Sequence, residues 1–219
     1  MATWADIVAK QNELIRKSLD AEVFLAPIST AIPDTIVDAT GASPVLPTGF
    51  LPLGHHTDDG LRWGRETEVS DLTSHGAVEP TRSDIRRITR TVAVTAQETN
   101  RLTLEASLGI DLSTTEAAQA SGEFTFEEPN RPKAVYYRLL AIGVDDGDAG
   151  EIYIGRLFTR AKVTDVGEEV WSDGDSALVR DMTFQAFQDS TAGFSVRHFF
   201  GGPGWTALLD EMDITQATV

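Results

Sequence analysis

The chain contains no cysteine. That removes disulfides, thiolate metal centres and a cysteine nucleophile together; a reducing compartment is compatible with it but not required by it. Basic residues are scarce, with 18 Lys and Arg against 34 Asp and Glu and a formal charge of −16. Coating nucleic acid by counterion release needs clustered cations, so that role is excluded. No apolar run approaches the ~18 residues that a membrane-spanning helix needs. The opening MATWADIVAKQNELIRK lacks the apolar centre of a secretion signal and carries Asp6 and Glu13 early. It is therefore expected to belong to a protein made and kept in the cytoplasm until assembly or lysis.

Catalytic motifs are missing as well. GxSxG does not occur, and Gly201-Gly202-Pro203-Gly204 lacks the GK[ST] ending of a phosphate loop. His75 and His198 have no serine elbow to serve. His55-His56-Thr57-Asp58-Asp59 is the one metal-like cluster, but adjacent side chains on a strand point to opposite faces. A polar turn explains that cluster better. Asp145-Asp146-Gly147-Asp148-Ala149-Gly150-Glu151 is acidic enough to attract calcium but departs from EF-hand spacing, so an acidic turn is the default. Trp63, Trp171, Trp205, Phe184, Phe187, Phe199 and Phe200 could line a ligand groove, yet aromatics at strand spacing more often fill cores or subunit contacts. No catalytic, cofactor-binding or metal residue is assigned, and no cofactor.

What remains is enough for a core: 41% of the 219 residues are apolar. Residues 3–19 have helical spacing, with Thr3 and Asp6 in capping-box positions and Trp4, Ile7, Val8, Leu14, Ile15 and Leu19 near one face. Such a helix packs on its own domain or docks on a neighbouring subunit. Glu22–Ile28 reads as a strand, and 29–52 as a long Pro-rich loop lying on the surface or on a partner. Asp59-Gly60 is a hairpin signal. Arg86–Ala96 alternates, and Gln97–Leu108 switches to helical spacing that Gly109 is placed to stop. Glu123–Glu127, Ala134–Val144, Glu151–Asp165, Ala177–Gln188 and Val196–Phe200 are strand candidates, and Trp205–Met212 a short helix. The domain reading is a helical arm over 1–21 and one mainly β domain over 22–219, a sandwich or half-barrel with a flanking α-helix.

One ordered set of segments goes further. Phe50-Leu51-Pro52-Leu53-Gly54-His55-His56-Thr57-Asp58-Asp59-Gly60-Leu61 resembles the LG-aromatic-xx-[DE]DG block of siphophage major tail proteins, notably those of actinobacterial phages. The companions fall in the family's order: Ala26-Pro27 closing a strand, Glu66–Val69, then Ala96-Gln97-Glu98-Thr99-Asn100-Arg101-Leu102-Thr103-Leu104, like the family's Glu-Thr-Asn helix start. Gly155-Arg156-Leu157 to Val163 and Met182–Asp189 resemble its closing strands. His55 departs from the usual aromatic, and many members lack the N-terminal helix.

The resemblance implies the phage tail tube fold, related to type VI secretion tube proteins, and no enzyme activity. Each subunit supplies four strands of a sheet, and homo-hexameric rings stack into a tube in the virion tail. The implied partners are a tape-measure protein, a tail terminator and distal tail or baseplate proteins. Phage DNA crosses the lumen unbound, and no membrane is involved. Twenty-four strands at about 4.8 Å spacing leave a bore on the order of 27 Å, wide enough for duplex DNA. Charge suggests an acidic lumen, with Arg86, Arg87, Arg90, Arg156, Arg160 and Lys162 meeting acids at subunit borders. The alternatives are a ligand- or carbohydrate-binding β-sandwich and a metal-dependent hydrolase at His55-His56.

Overall fold

Alternating segments become strands here wherever one face has a core to enter. The computed structural model describes residues 4–8, 10–131, 133–174 and 177–217. In chain order these form α1 (Trp4–Val8), β1 (Asp20–Pro27), β2 (Leu51–Pro52), β3 (Arg62–Leu72), β4 (Arg82–Ala96) and α2 (Arg101–Leu108). There follow β5 (Tyr137–Gly147), β6 (Gly150–Val166), β7 (Arg180–Ala186), β8 (Val196–Gly201) and α3 (Pro203–Ala207). The strands make one sheet in the order β2-β1-β5-β6-β7-β4-β3. All its pairings are antiparallel, and β8 lies on the same edge of β6 as β7, one after the other. The mainly β expectation with a flanking helix holds.

The ends of the sheet are tied into a half-barrel by the segment after the Pro-rich loop. Leu53 N donates to Val23 O on β1 (2.7 Å), and four residues later Thr57 N donates to Thr95 O on β4 (3.0 Å). Inside lie Val23, Leu25, Leu53, Val92, Val94, Leu139, Phe158, Met182 and Phe184, with Ala106 of α2 packed among them. Burying side chains of this size stabilises by about 1.5–3 kcal/mol each. A second core forms on the opposite face of β1, β5, β6 and β8, where Leu140, Tyr153, Leu157 and Phe199 meet Ile36 and Phe50.

That second core places the 29–52 stretch against the surface of its own sheet, the first of the two placements expected. Ile36 and Phe50 are 2% and 4% exposed, so the stretch is a lid on its own sheet. It is pinned by Arg138, whose Nε donates to Thr30 O (2.9 Å) while Nη1 donates to Asp189 Oδ2 (2.6 Å) and to Thr159 O.

Three other expectations change. The helix over 3–19 shrinks to α1 and a 3-10 turn at Asn12–Leu14, and Ile15 is already extended. Trp4, Ile7 and Ile15 are 77%, 66% and 73% exposed, so no core holds a longer helix together, and isolated ones are marginal. Thr3, the expected cap, lies outside the described residues. Glu123–Glu127 is not a strand, because it finds no partner; Phe124 and Phe126 contact each other instead, at 5.5 Å. Asp59-Gly60 does turn the chain, with Gly60 at φ 67, but not as a hairpin. The residues on both sides, His56 and Arg62, pair with the same strand, at Ala96 and Ala93.

Candidate assembly surfaces

β3 and β4 pair from Arg62↔Ala93 to Leu72↔Arg82, but β4 meets the rest of the sheet only over Thr91–Ala96. Everything beyond is a two-stranded ribbon leaving the domain. Alternation still gives it an apolar stripe: Ile88, Ile85 and Val69 continue the face that carries Val92 and Trp63 inside the core. Val69, Leu72, Ile85 and Val78 are nevertheless 52%, 61%, 63% and 100% exposed. A two-stranded hairpin alone in water is marginal at best, and among the described residues the outer edge of β3 has no strand partner.

The other face of β3, β4, β7 and β6 is polar and, among the described residues, carries no helix. Thr91, Thr95, Thr183 and Gln185 alternate with the buried Val92, Val94, Met182 and Phe184. Its charges are partly matched: Arg62 lies 3.6 Å from Asp181, and Arg86 lies 3.8 Å from Glu68. Four strands with α2 behind them is the arrangement the sequence resemblance implies.

His55 and His56 sit in the closing segment. His55 N donates to Glu98 Oε1 (2.8 Å), and Asn100 Nδ2 donates to Leu53 O (3.0 Å). Asn100 also caps α2 by accepting from Thr103 N (2.9 Å). Gly54 has φ 95, and a Cβ there would lie 2.2 Å from Glu98 Oε2. The two most family-like blocks thus form one latch that closes the half-barrel. The Glu98 carboxyl is held below its usual range, chiefly by the His55 amide. No group of three His, Asp or Glu side chains able to hold a metal occurs among the described residues.

The acidic stretch 145–151 is the β5–β6 hairpin turn, where Gly147 faces Gly150. Asp145 points inward to Arg16 (3.5 Å), while Asp146 and Asp148 are exposed. The aromatic candidates scatter rather than line one groove. Phe184 and Phe199 are buried in different cores, and Phe187 packs edge-on to Tyr136. Phe200 stacks on Trp205 (4.7 Å), and Trp171 is 83% exposed. His75 lies in the ribbon loop and His198 on β8, far apart in the topology.

Sequence reading missed one cluster. Arg65 stands opposite Arg90 across β3 and β4, and Arg156 stands opposite His198 across β6 and β8. The Arg156 guanidinium lies 4.5 Å above the Trp63 ring, and Arg90 Nη1 reaches Ser195 Oγ at 3.5 Å. Burial, then Arg156 and Arg90, push the His198 pKa down. Strand register is non-local, so no local signal could have joined these four.

The sequence model described as "Phage tail tube protein" matches residues 8–194. No curated protein matches the sequence. Among solved structures, the chain is similar to one titled "Virion of native gene transfer agent (GTA) particle", at 9% identity and TM-score 0.36, covering 70% of this chain and 92% of that one. It is similar also to "Cryo-EM structure of the anti-feeding prophage cap (AFP tube terminating cap)", at 11% identity and TM-score 0.41, covering 91% and 99%. A third, "Crystal structure of Hcp protein", has 7% identity and TM-score 0.33, covering 82% and 98%.

Proposed function

The chain belongs to the phage tail tube protein family, and from that premise we propose that it is the repeating subunit of a siphophage tail tube, six copies closing a ring and rings stacking around a DNA channel. It is a structural virion protein, not an enzyme. The observation that carries the hexamer reading is the β3–β4 ribbon. It exposes an apolar stripe and an unpaired strand edge that no described residue of the domain covers. In a closed ring that edge meets the next copy, and the aggregation hazard of an open sheet disappears.

In this reading the uncovered face of β3, β4, β7 and β6 lines the bore. Its threonines and Gln185, with Arg62, Arg87 and Lys162 set among Glu66, Glu68 and Asp181, give DNA a wall of mixed charge with no one-sided basic patch, which favours sliding over binding. On this face the lining is of mixed charge, where net charge alone suggested an acidic one. Residues 4–19, with exposed Trp4, Ile7 and Ile15, act as an arm onto a neighbouring copy. Tape-measure, terminator and distal tail proteins occupy the lumen and the two ends of the tube.

Sedimentation of the full chain beside a version whose ribbon is cut at Glu68 and Arg87 and joined by Asn-Gly tests this. The full chain should form hexamers or longer assemblies, and the shortened one only folded monomers. Equal assembly by both would remove the ribbon from the account.

A further inference from the structure

In a chain of charge −16, cations should find carboxylates easily, and several do. Arg62, Arg82, Arg86, Arg101, Arg180 and Arg197 each have an acidic partner within 4 Å. Arg65, Arg90 and Arg156 have none among the described residues. They converge instead in the notch between β8 and the root of the ribbon. Arg65 and Arg90 face each other directly, a like-charge pairing that weakens a sheet. Arg156 and His198 are paired the same way on β6 and β8. Below them, Trp63 and Arg156 form part of the wall of a cavity of about 670 Å³ that opens beside the closing segment. Exposed Phe200, stacked on Trp205, adds an apolar rim. Tryptophan and arginine around a recess are the residue types that dominate protein–protein contacts.

We propose that this notch receives the β5–β6 turn of a second copy, with Asp146 and Asp148 entering among Arg65, Arg90 and Arg156. The inference rests on the tube reading and names the contact between ring neighbours. Asp146, at the end of β5 opposite Glu151, and Asp148, in the two-residue turn that follows, are exposed, and both lack a basic partner within 4 Å among the described residues. The turn of the same copy cannot serve. It begins β6, and Arg156 lies six residues beyond Gly150 on that same rigid strand, on the order of 20 Å away. Acid and base on one stiff element meet only between copies. Complementary charge then sets the register of neighbours and disfavours wrong pairings, since an empty notch is self-repelling. Passing DNA is the competing source of negative charge. The notch, however, continues the core face of the sheet, not the polar face assigned to the bore.

The test uses charge exchange and disulfide trapping in the full chain. The Arg65→Glu/Arg90→Glu protein should stay folded by circular dichroism and lose ring formation at least tenfold in concentration dependence. Adding Asp146→Arg/Asp148→Arg should restore rings. Because the chain has no native cysteine, Arg90→Cys and Asp148→Cys proteins mixed under mild oxidation should give a mixed dimer, with neither forming it alone. Undiminished assembly after charge reversal overturns the proposal, as does absence of the mixed dimer in rings that do form. Wild-type protein run alongside separates the failures: no rings from wild type sinks the tube reading itself. Duplex DNA held by wild-type rings at physiological salt and released by Arg65→Glu/Arg90→Glu would assign the notch to phosphate and reject the turn.

Discussion

Val69 stands directly opposite Ile85 across the β3–β4 pair, and the two are 52% and 63% exposed. Two β-branched side chains matched across strands normally mark a buried face. In the proposed tube, the partner that buries them is a neighbouring subunit. Val69→Asp with Ile85→Asp should leave the melting temperature of the monomer within about 2 °C, because surface positions contribute within ~0.5 kcal/mol. Assembly should fall by at least tenfold. A large drop in monomer stability, read by thermal melting, would instead place the stripe in the subunit's own core.

The latch makes a stability prediction. Asn100→Ala removes the cap of α2 and the tie to Leu53 O, and should cost about 1–2 kcal/mol. Gly54→Ala forces a Cβ toward Glu98 at a positive φ and should cost about 1–3 kcal/mol. The two sites touch one network, so the double variant should lose less than the sum in urea unfolding.

Low pH should loosen the lid over 29–52. The Arg138 guanidinium, by its hydrogen bond, holds the Asp189 carboxyl below the ordinary 3.8. A depressed carboxyl stabilises fully above its unfolded pKa, and the contribution is lost as pH falls through the folded value. That loss therefore lies in the acid range below about pH 4. Arg138→Met strands Asp189 in a buried site and should cost about 3–5 kcal/mol at neutral pH. It should also flatten the acid limb of the stability curve; an unchanged limb would show that another carboxylate governs it.

The N-terminal arm should be dispensable for folding. Removing residues 1–15 leaves the Arg16–Asp145 contact (3.5 Å) and β1 in place. The truncated monomer should melt with the full chain while its assemblies dissociate at lower dilution. Coincident loss of both would return the arm to the core.

The sequence displayed the fold wherever one face of an element is buried within the subunit. β4 was legible from Arg86 to Ala96 because Val92, Val94 and Ala96 enter the core. Its first residues, Arg82 to Ile85, were not, since the register shift at Glu68/Val69 leaves Arg86 unpaired and puts Ile85 three residues from Ile88 on the same face, breaking the two-residue period. Gly109 stops α2 at φ 66 as expected, whereas the helix over 3–19 failed because apolar spacing without a docking surface does not hold a helix. The Leu53-Gly54 and Glu98-Thr99-Asn100 blocks were visible as family pattern. Their joint role as a latch depends on a contact 47 residues apart in sequence, which no local period encodes. Arg65 against Arg90 was hidden for the same reason: only register brings them together.

Electron microscopy of the concentrated full-length protein, with symmetry determined from end-on views, tests the central claim most directly. The account predicts six-fold rings that stack, with β3, β4, β7 and β6 lining a bore on the order of 27 Å. A chain that stays monomeric at every concentration and with its tail partners present, or rings whose bore is lined by the Pro-rich lid instead, would contradict it.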